Sequence, residues 1–211
     1  MNWTSAAVFA KRRQKIYSVN RQNNTLFLVM MALMFAGVAF GTVLASSGYL
    51  GDESKELILQ AADEMTANSS GTEFVAAAAV AFLPSLAMMS VIFLSGFCAA
   101  TAPLAMLMPF AKGIGFGVVC ACIYLRDGAV VFGRIALCIF PMAFLSGILI
   151  ALAAMLSVKF SAKYFKGLLC GSEEFPHKTE ITQYCIKNLA LLAAVSAAST
   201  AGAAIAQVYL K

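Results

Sequence analysis

Five long apolar stretches, separated by short polar segments, occupy most of this 211-residue chain and decide its solvent before any motif is considered. They cover Leu26–Tyr49, Phe74–Phe97, Pro103–Leu125, Ile135–Val158 and Asn188–Leu210. Each is long enough to cross a hydrocarbon core, which takes about 20 helical residues. The alternation of barrel strands is absent, and an open sheet in lipid would leave backbone N–H and C=O groups without partners, so the spanning elements are expected to be helices. The expected fold class is all-α: a polytopic integral membrane protein with five transmembrane helices. Composition agrees. Only 12% of the residues are charged, about half the share found in a soluble domain.

The second and third stretches need separating, because from Phe74 to Leu125 the only charged residue is Lys112. A single helix over that length would reach about 78 Å at 1.5 Å per residue, far beyond the ~30 Å hydrocarbon core. A hairpin is therefore required. Its expected break lies at Ser95 and Gly96 followed by Thr101-Ala102-Pro103, since glycine loosens the backbone and proline suits the first turn of a new helix. Pro84 and Pro141 fall inside helices, where they predict kinks. The chain then divides into a basic cytoplasmic arm, residues 1–25, and one membrane domain, residues 26–211.

Lysine and arginine set the orientation, because positively charged segments stay in the cytoplasm. The N-terminal arm carries Lys11, Arg12, Arg13, Lys15 and Arg21 and no acid, whereas the first loop holds Asp52, Glu53, Glu56, Asp63, Glu64 and Glu73 against Lys55 alone. The N-terminus is expected inside and the C-terminus outside. The discordant element is the third loop, expected outside despite Arg126 and Arg134.

The search for chemistry is mostly negative. Cys98, Cys120, Cys122 and Cys138 lie in or beside apolar runs, where cysteine behaves as a small apolar residue; Cys170 and Cys185 are expected in the cytoplasmic loop, without zinc-ligand spacing. His177, the only histidine, has no companion ligand. The sequence offers no nucleophile elbow, phosphate loop or helical histidine pair. No catalytic, cofactor-binding or metal-binding residue is assigned, and neither an enzyme nor a nucleic-acid binder is expected. The expected environment is the lipid bilayer.

No apolar run contains aspartate or glutamate, which weakens a proton-coupled transporter. Lys112 is the exception in charge. It must snorkel, face a water-filled groove, or meet carbonyls or an acid of another helix, which makes it a candidate contact for a partner or ligand. Small residues point to packing. Gly37 and Gly41 form a G-x-x-x-G, Gly113 and Gly117 repeat it, and Ala194, Ala198 and Gly202 continue a small stripe with Ser196 and Thr200 available for interhelical hydrogen bonds. In the first loop, residues 54–66 have helical spacing with Leu57, Ile58, Ala61 and Met65 opposite the acids. That apolar face rests on the membrane or helix ends, or docks an external partner.

The order of segments resembles the stage II sporulation protein M family of endospore-forming bacteria. The resemblance rests on FLVMMALMFAGVAFGTVLASS at residues 27–47, the hairpin segment at residues 94–128, and FPMAFLSGILIALAAMLSVKFSAKYF at residues 140–165. Phe110-Ala111-Lys112-Gly113 followed by Gly117 is similar to the family's lysine-glycine step in the third helix. Wider relatives carry a Pro-His pair in the fourth helix, whereas here Pro141 is followed by Met142. The resemblance implies a non-enzymatic membrane scaffold in forespore engulfment, acting in the mother-cell membrane with stage II sporulation proteins D and P, which remodel septal peptidoglycan. A small transporter or permease subunit is the second reading.

Overall fold

The computed structural model describes residues 3–49, 51, 53, 54, 56–60, 71–170 and 178–209. Among them every regular element is helical: α1 (Trp3–Ser46), α2 (Gly71–Phe97), a 3-10 turn (Ala99–Thr101), α3 (Ala102–Cys170) and α4 (Lys178–Tyr209). Residues 53, 54 and 56–60 are also helical. Four stretches are long and apolar enough to cross a membrane: Asn24–Ser46, Ala102–Val130, Phe140–Phe165 and Lys178–Gly202. A further apolar stretch, Phe82–Phe97, forms the second half of α2.

The hairpin break falls at the expected residues. Helix α2 ends at Phe97, the 3-10 turn follows, and α3 opens at Ala102. The Thr101 hydroxyl donates to the carbonyls of Ser95 (3.2 Å) and Cys98 (2.8 Å), meeting carbonyls released by the end of α2. Pro84 and Pro141 lie within α2 and α3, and α3 also contains Pro109. The third loop differs from expectation. Residues 126–134 continue in helical conformation on both sides of a break at Gly128, whose φ of 77° and ψ of 177° belong to a region essentially reserved for glycine. Helix α3 is thus two arms joined by one residue.

The helices run beyond the expected spans: α3 continues past Val158 to Cys170, and α4 opens at Lys178, ten residues before Asn188. Hydropathy placed Lys178–Lys187 in a loop, but its polar residues find partners once the helix forms. Glu180 pairs with Lys163 of α3, and Tyr184 is buried.

Helix α3 is the hub. Cα atoms of α1 come within 8 Å of α3 and of no other of the four helices, while α2, α3 and α4 contact one another. The interior holds Met30 of α1, Met89 and Ile92 of α2, and Ile150, Ala151, Ala153 and Ala154 of α3. Leu28, Phe40 and Val43 of α1 point outward. In water that face would invite association; in lipid it matches its solvent.

The junction of α1 and α3 is set by glycine. A methyl group on Gly37 would collide with the Phe110 carbonyl oxygen and one on Gly41 with that of Ile114; from the other side, Gly113 abuts the Met34 carbonyl and Gly117 that of Val38. The two G-x-x-x-G motifs therefore pair with each other inside one chain, backbone against backbone. Because the colliding atoms are main chain, no rotamer change relieves the clash. Gly113→Val is expected to lower stability in detergent by about 1 to 3 kcal/mol, the usual range for overpacking. Gly115→Ala, on the same helix with nothing within 4 Å of an added Cβ, leaves the denaturation midpoint unchanged or raises it.

Candidate functional site

Lys112 stands ten residues beyond Ala102, the first residue of α3, which places it about 15 Å along the helix and near mid-bilayer. Its Nζ donates to Ser85 Oγ of α2 at 3.1 Å. Ser85 is fully buried, one residue after Pro84. An ammonium has three N–H donors, so one serine hydroxyl is a modest partner for it. Two carboxylates of α3 and α4 are engaged at helix ends: Asp127 with Arg126 at 2.9 Å, and Glu180 with Lys163.

Beside Lys112 a groove of about 450 Å³ opens between α1 and both arms of α3. Its other walls are apolar, including Met34, Phe35, Phe116, Phe140 and Phe144. Phe35 and Phe144 lie 6.0 Å apart between ring centroids, and Phe116 meets Phe140 edge-on at 5.0 Å. Phe35, Phe140 and Phe144 remain partly open to the surroundings.

A second polar cluster clamps the end of α2. Ser157 Oγ of α3 donates to the Ile92 carbonyl at 2.8 Å, Ser161 Oγ to that of Cys98 at 3.2 Å, and the Tyr184 hydroxyl of α4 to that of Phe93 at 3.0 Å. The Tyr184 ring stacks on Phe160 at 4.3 Å and on Phe93 at 5.7 Å, with Phe97 edge-on. Gly96 gives it room, since a Cβ there would run into the phenol oxygen. The apolar pattern hid these residues. Their one sequence signal is Ser157-x-x-x-Ser161, two hydroxyls one helical turn apart in an apolar run.

The other expected residues are distributed. Leu57 is 68% exposed, while Ile58 and its neighbour Leu59 pack against Ala45 of α1 and Val118 and Cys122 of α3. Ala61 and Met65 lie outside the described residues, as does His177. In α4, Ala198 is buried, Ala194 is half-buried, and Gly202 sits where a Cβ would come 3.2 Å from Met142 Cβ of α3. Ser196 and Thr200, expected to bond between helices, instead donate to carbonyls of their own helix at Ala193, Ser196 and Ala197. A donor with an acceptor one turn back needs no neighbouring helix. Cys185 lies within α4 rather than in a loop, and Cys98 is exposed rather than buried. Among the described residues no group of His, Cys, Asp and Glu is placed to hold a metal ion.

No family model, curated protein or solved structure matches this chain.

The Tyr184 clamp makes a graded stability prediction. Tyr184→Phe keeps the stacked ring and loses one hydrogen bond, lowering the unfolding free energy by about 1 kcal/mol. Tyr184→Ala empties the aromatic cluster and lowers it by about 3 to 5 kcal/mol. Equilibrium unfolding in mixed micelles reads both.

Proposed function

We propose that the chain is a non-enzymatic membrane scaffold of bacterial endospore formation. In this reading it recruits septal peptidoglycan-remodelling proteins for forespore engulfment, as its resemblance to the stage II sporulation protein M family implies. It spans the mother-cell membrane five times, N-terminus inside and C-terminus outside, and its partners include stage II sporulation proteins D and P. The 27 residues of α2 correspond to about 40 Å of helix, enough for the fifth crossing.

The observation that carries the reading is the way the acidic first loop is held. Ile58 and Leu59 anchor it to the end of α1 and to Val118 and Cys122 in the first arm of α3, and Leu57 is left facing outward. Anchoring one side of a short helix while exposing the other presents a fixed apolar contact just outside the bilayer. A transport path, the alternative, wants polar walls, whereas the groove beside Lys112 is otherwise apolar.

Two experiments test the reading. Alkaline phosphatase fused after Lys211 should be active and after Arg21 inactive; the opposite pattern at either site removes the five-span topology. Leu57→Ser should weaken recruitment of wall-remodelling proteins to the septum by roughly 5- to 150-fold in affinity, the loss of 1 to 3 kcal/mol expected at a central apolar contact. Membrane accumulation should stay normal. Wild-type engulfment and septal localisation in that variant would exclude this loop as the docking surface.

A further inference from the structure

A groove of about 490 Å³ runs between α2 and α4. Its wall is apolar, and Leu94, Ile186 and Leu189 along it stand more than half exposed. The hydroxyl of Ser90 and the amide of Asn188, which also line it, donate to carbonyls of their own helices at Leu86 (2.9 Å) and Tyr184 (3.0 Å). The groove follows the helix axis. Cys185, Leu189 and Leu192 in its wall are four and three residues apart, which puts them on one face of α4 and spreads them over about 10 Å of rise.

Lys178 belongs to the same face, seven residues before Cys185. Its level can be read from α2, which runs the opposite way. Phe93 is level with Tyr184, on which it stacks; α2 ends four residues beyond Phe93, at Phe97, and Lys178 stands six residues before Tyr184. At 1.5 Å per residue the lysine is therefore about 3 Å past the last residue of α2, beside the exposed Cys98 that follows it. That is the boundary of the hydrocarbon, where phospholipid headgroups begin. Lys178 is exposed, and no ion pair engages it among the described residues, whereas Glu180 of the same turn is taken by Lys163.

An apolar channel parallel to the helices, with a free cation where it reaches the headgroup level, is complementary to an anionic amphiphile of the bilayer. We propose that the groove between α2 and α4 is a binding site for an anionic phospholipid. One acyl chain lies along Leu94, Leu189 and Leu192, and the phosphate accepts N–H donors from Lys178. This goes beyond the scaffold reading and does not rest on it.

The test places tryptophan at Leu94, with Trp3, the chain's only tryptophan, replaced by phenylalanine. The full chain is reconstituted in vesicles of phosphatidylcholine and phosphatidylglycerol, with bromine on the acyl chains of one lipid or the other to quench the indole it touches. At Leu94→Trp, phosphatidylglycerol should be favoured about fivefold, the roughly 1 kcal/mol that one lysine contributes near a membrane surface. Phe40→Trp, on the outward side of α1, should show no preference. Lys178→Arg should keep the preference at Leu94→Trp and Lys178→Gln should remove it. Equal quenching of Leu94→Trp by the two brominated lipids, or a preference that survives Lys178→Gln, overturns the proposal. So does an equal preference at Phe40→Trp, because the charge of the whole bundle would then explain it. Weaker quenching of Leu94→Trp than of Phe40→Trp by both lipids also overturns it, since protein, such as a second copy of the chain, would then cover the groove. None of these outcomes bears on the Leu57 surface, so the two readings fail separately.

Discussion

The structure depends on the main-chain contact between α1 and α3. Four glycines, two on each helix, bring the backbones together so closely that carbonyl oxygens occupy the space where Cβ atoms would stand. In lipid this contact carries weight that it would lack in water. Hydrocarbon tails solvate leucine as well as another helix does, so association rests on close van der Waals packing and on polar contacts. Among the four helices α1 approaches only α3, so this contact holds the first helix and, through Ala45, Val118 and Cys122, seats Ile58 and Leu59 of the following loop. The outward position of Leu57 follows from it.

Polar groups do the equivalent work on the other side of α3. Ser157, Ser161 and Tyr184 all donate to carbonyls near the end of α2, so three side chains on two helices fix one helix terminus. Hydroxyls in hydrocarbon need acceptors, and main-chain carbonyls at a helix end have lone pairs to offer. Among the described residues two groups fall short of that: Ser85 accepts one of the three Lys112 ammonium protons, and the buried Asn188 Oδ1 has no partner.

Much of the architecture was legible in the sequence because lipid imposes simple rules. Runs of apolar residues gave the helices, and Ser95-Gly96 with Ala102-Pro103 gave the hairpin, where local chemistry alone decides. What the sequence withheld was pairwise. The glycine spacings of α1 and α3 were visible, but not that each is the other's partner. Residues 178–187 suggest a loop because Glu180 and Tyr184 are polar, and they join α4 once Lys163 and the rings of Phe93 and Phe160 are brought to them. Charge at Arg126, Asp127 and Arg134 interrupts the hydropathy and suggests open chain, yet charge does not interrupt a helix; Gly128 does. Of the candidate partner contacts, Leu57 and Ile58 form one apolar face by spacing alone. Only packing separates the half-buried Ile58 from the exposed Leu57.

The central claim, that the main-chain contact with α3 holds α1, is open to thiol cross-linking in membranes. With the six native cysteines replaced by alanine, cysteine pairs at Phe40 and Phe110 and at Phe35 and Phe144, whose rings lie 6.1 and 6.0 Å apart, should bridge efficiently within one chain. A pair at Phe40 and Leu94, on α1 and α2, should not. Bridging of Phe40 to Leu94, or failure of both α1–α3 pairs, would contradict the account.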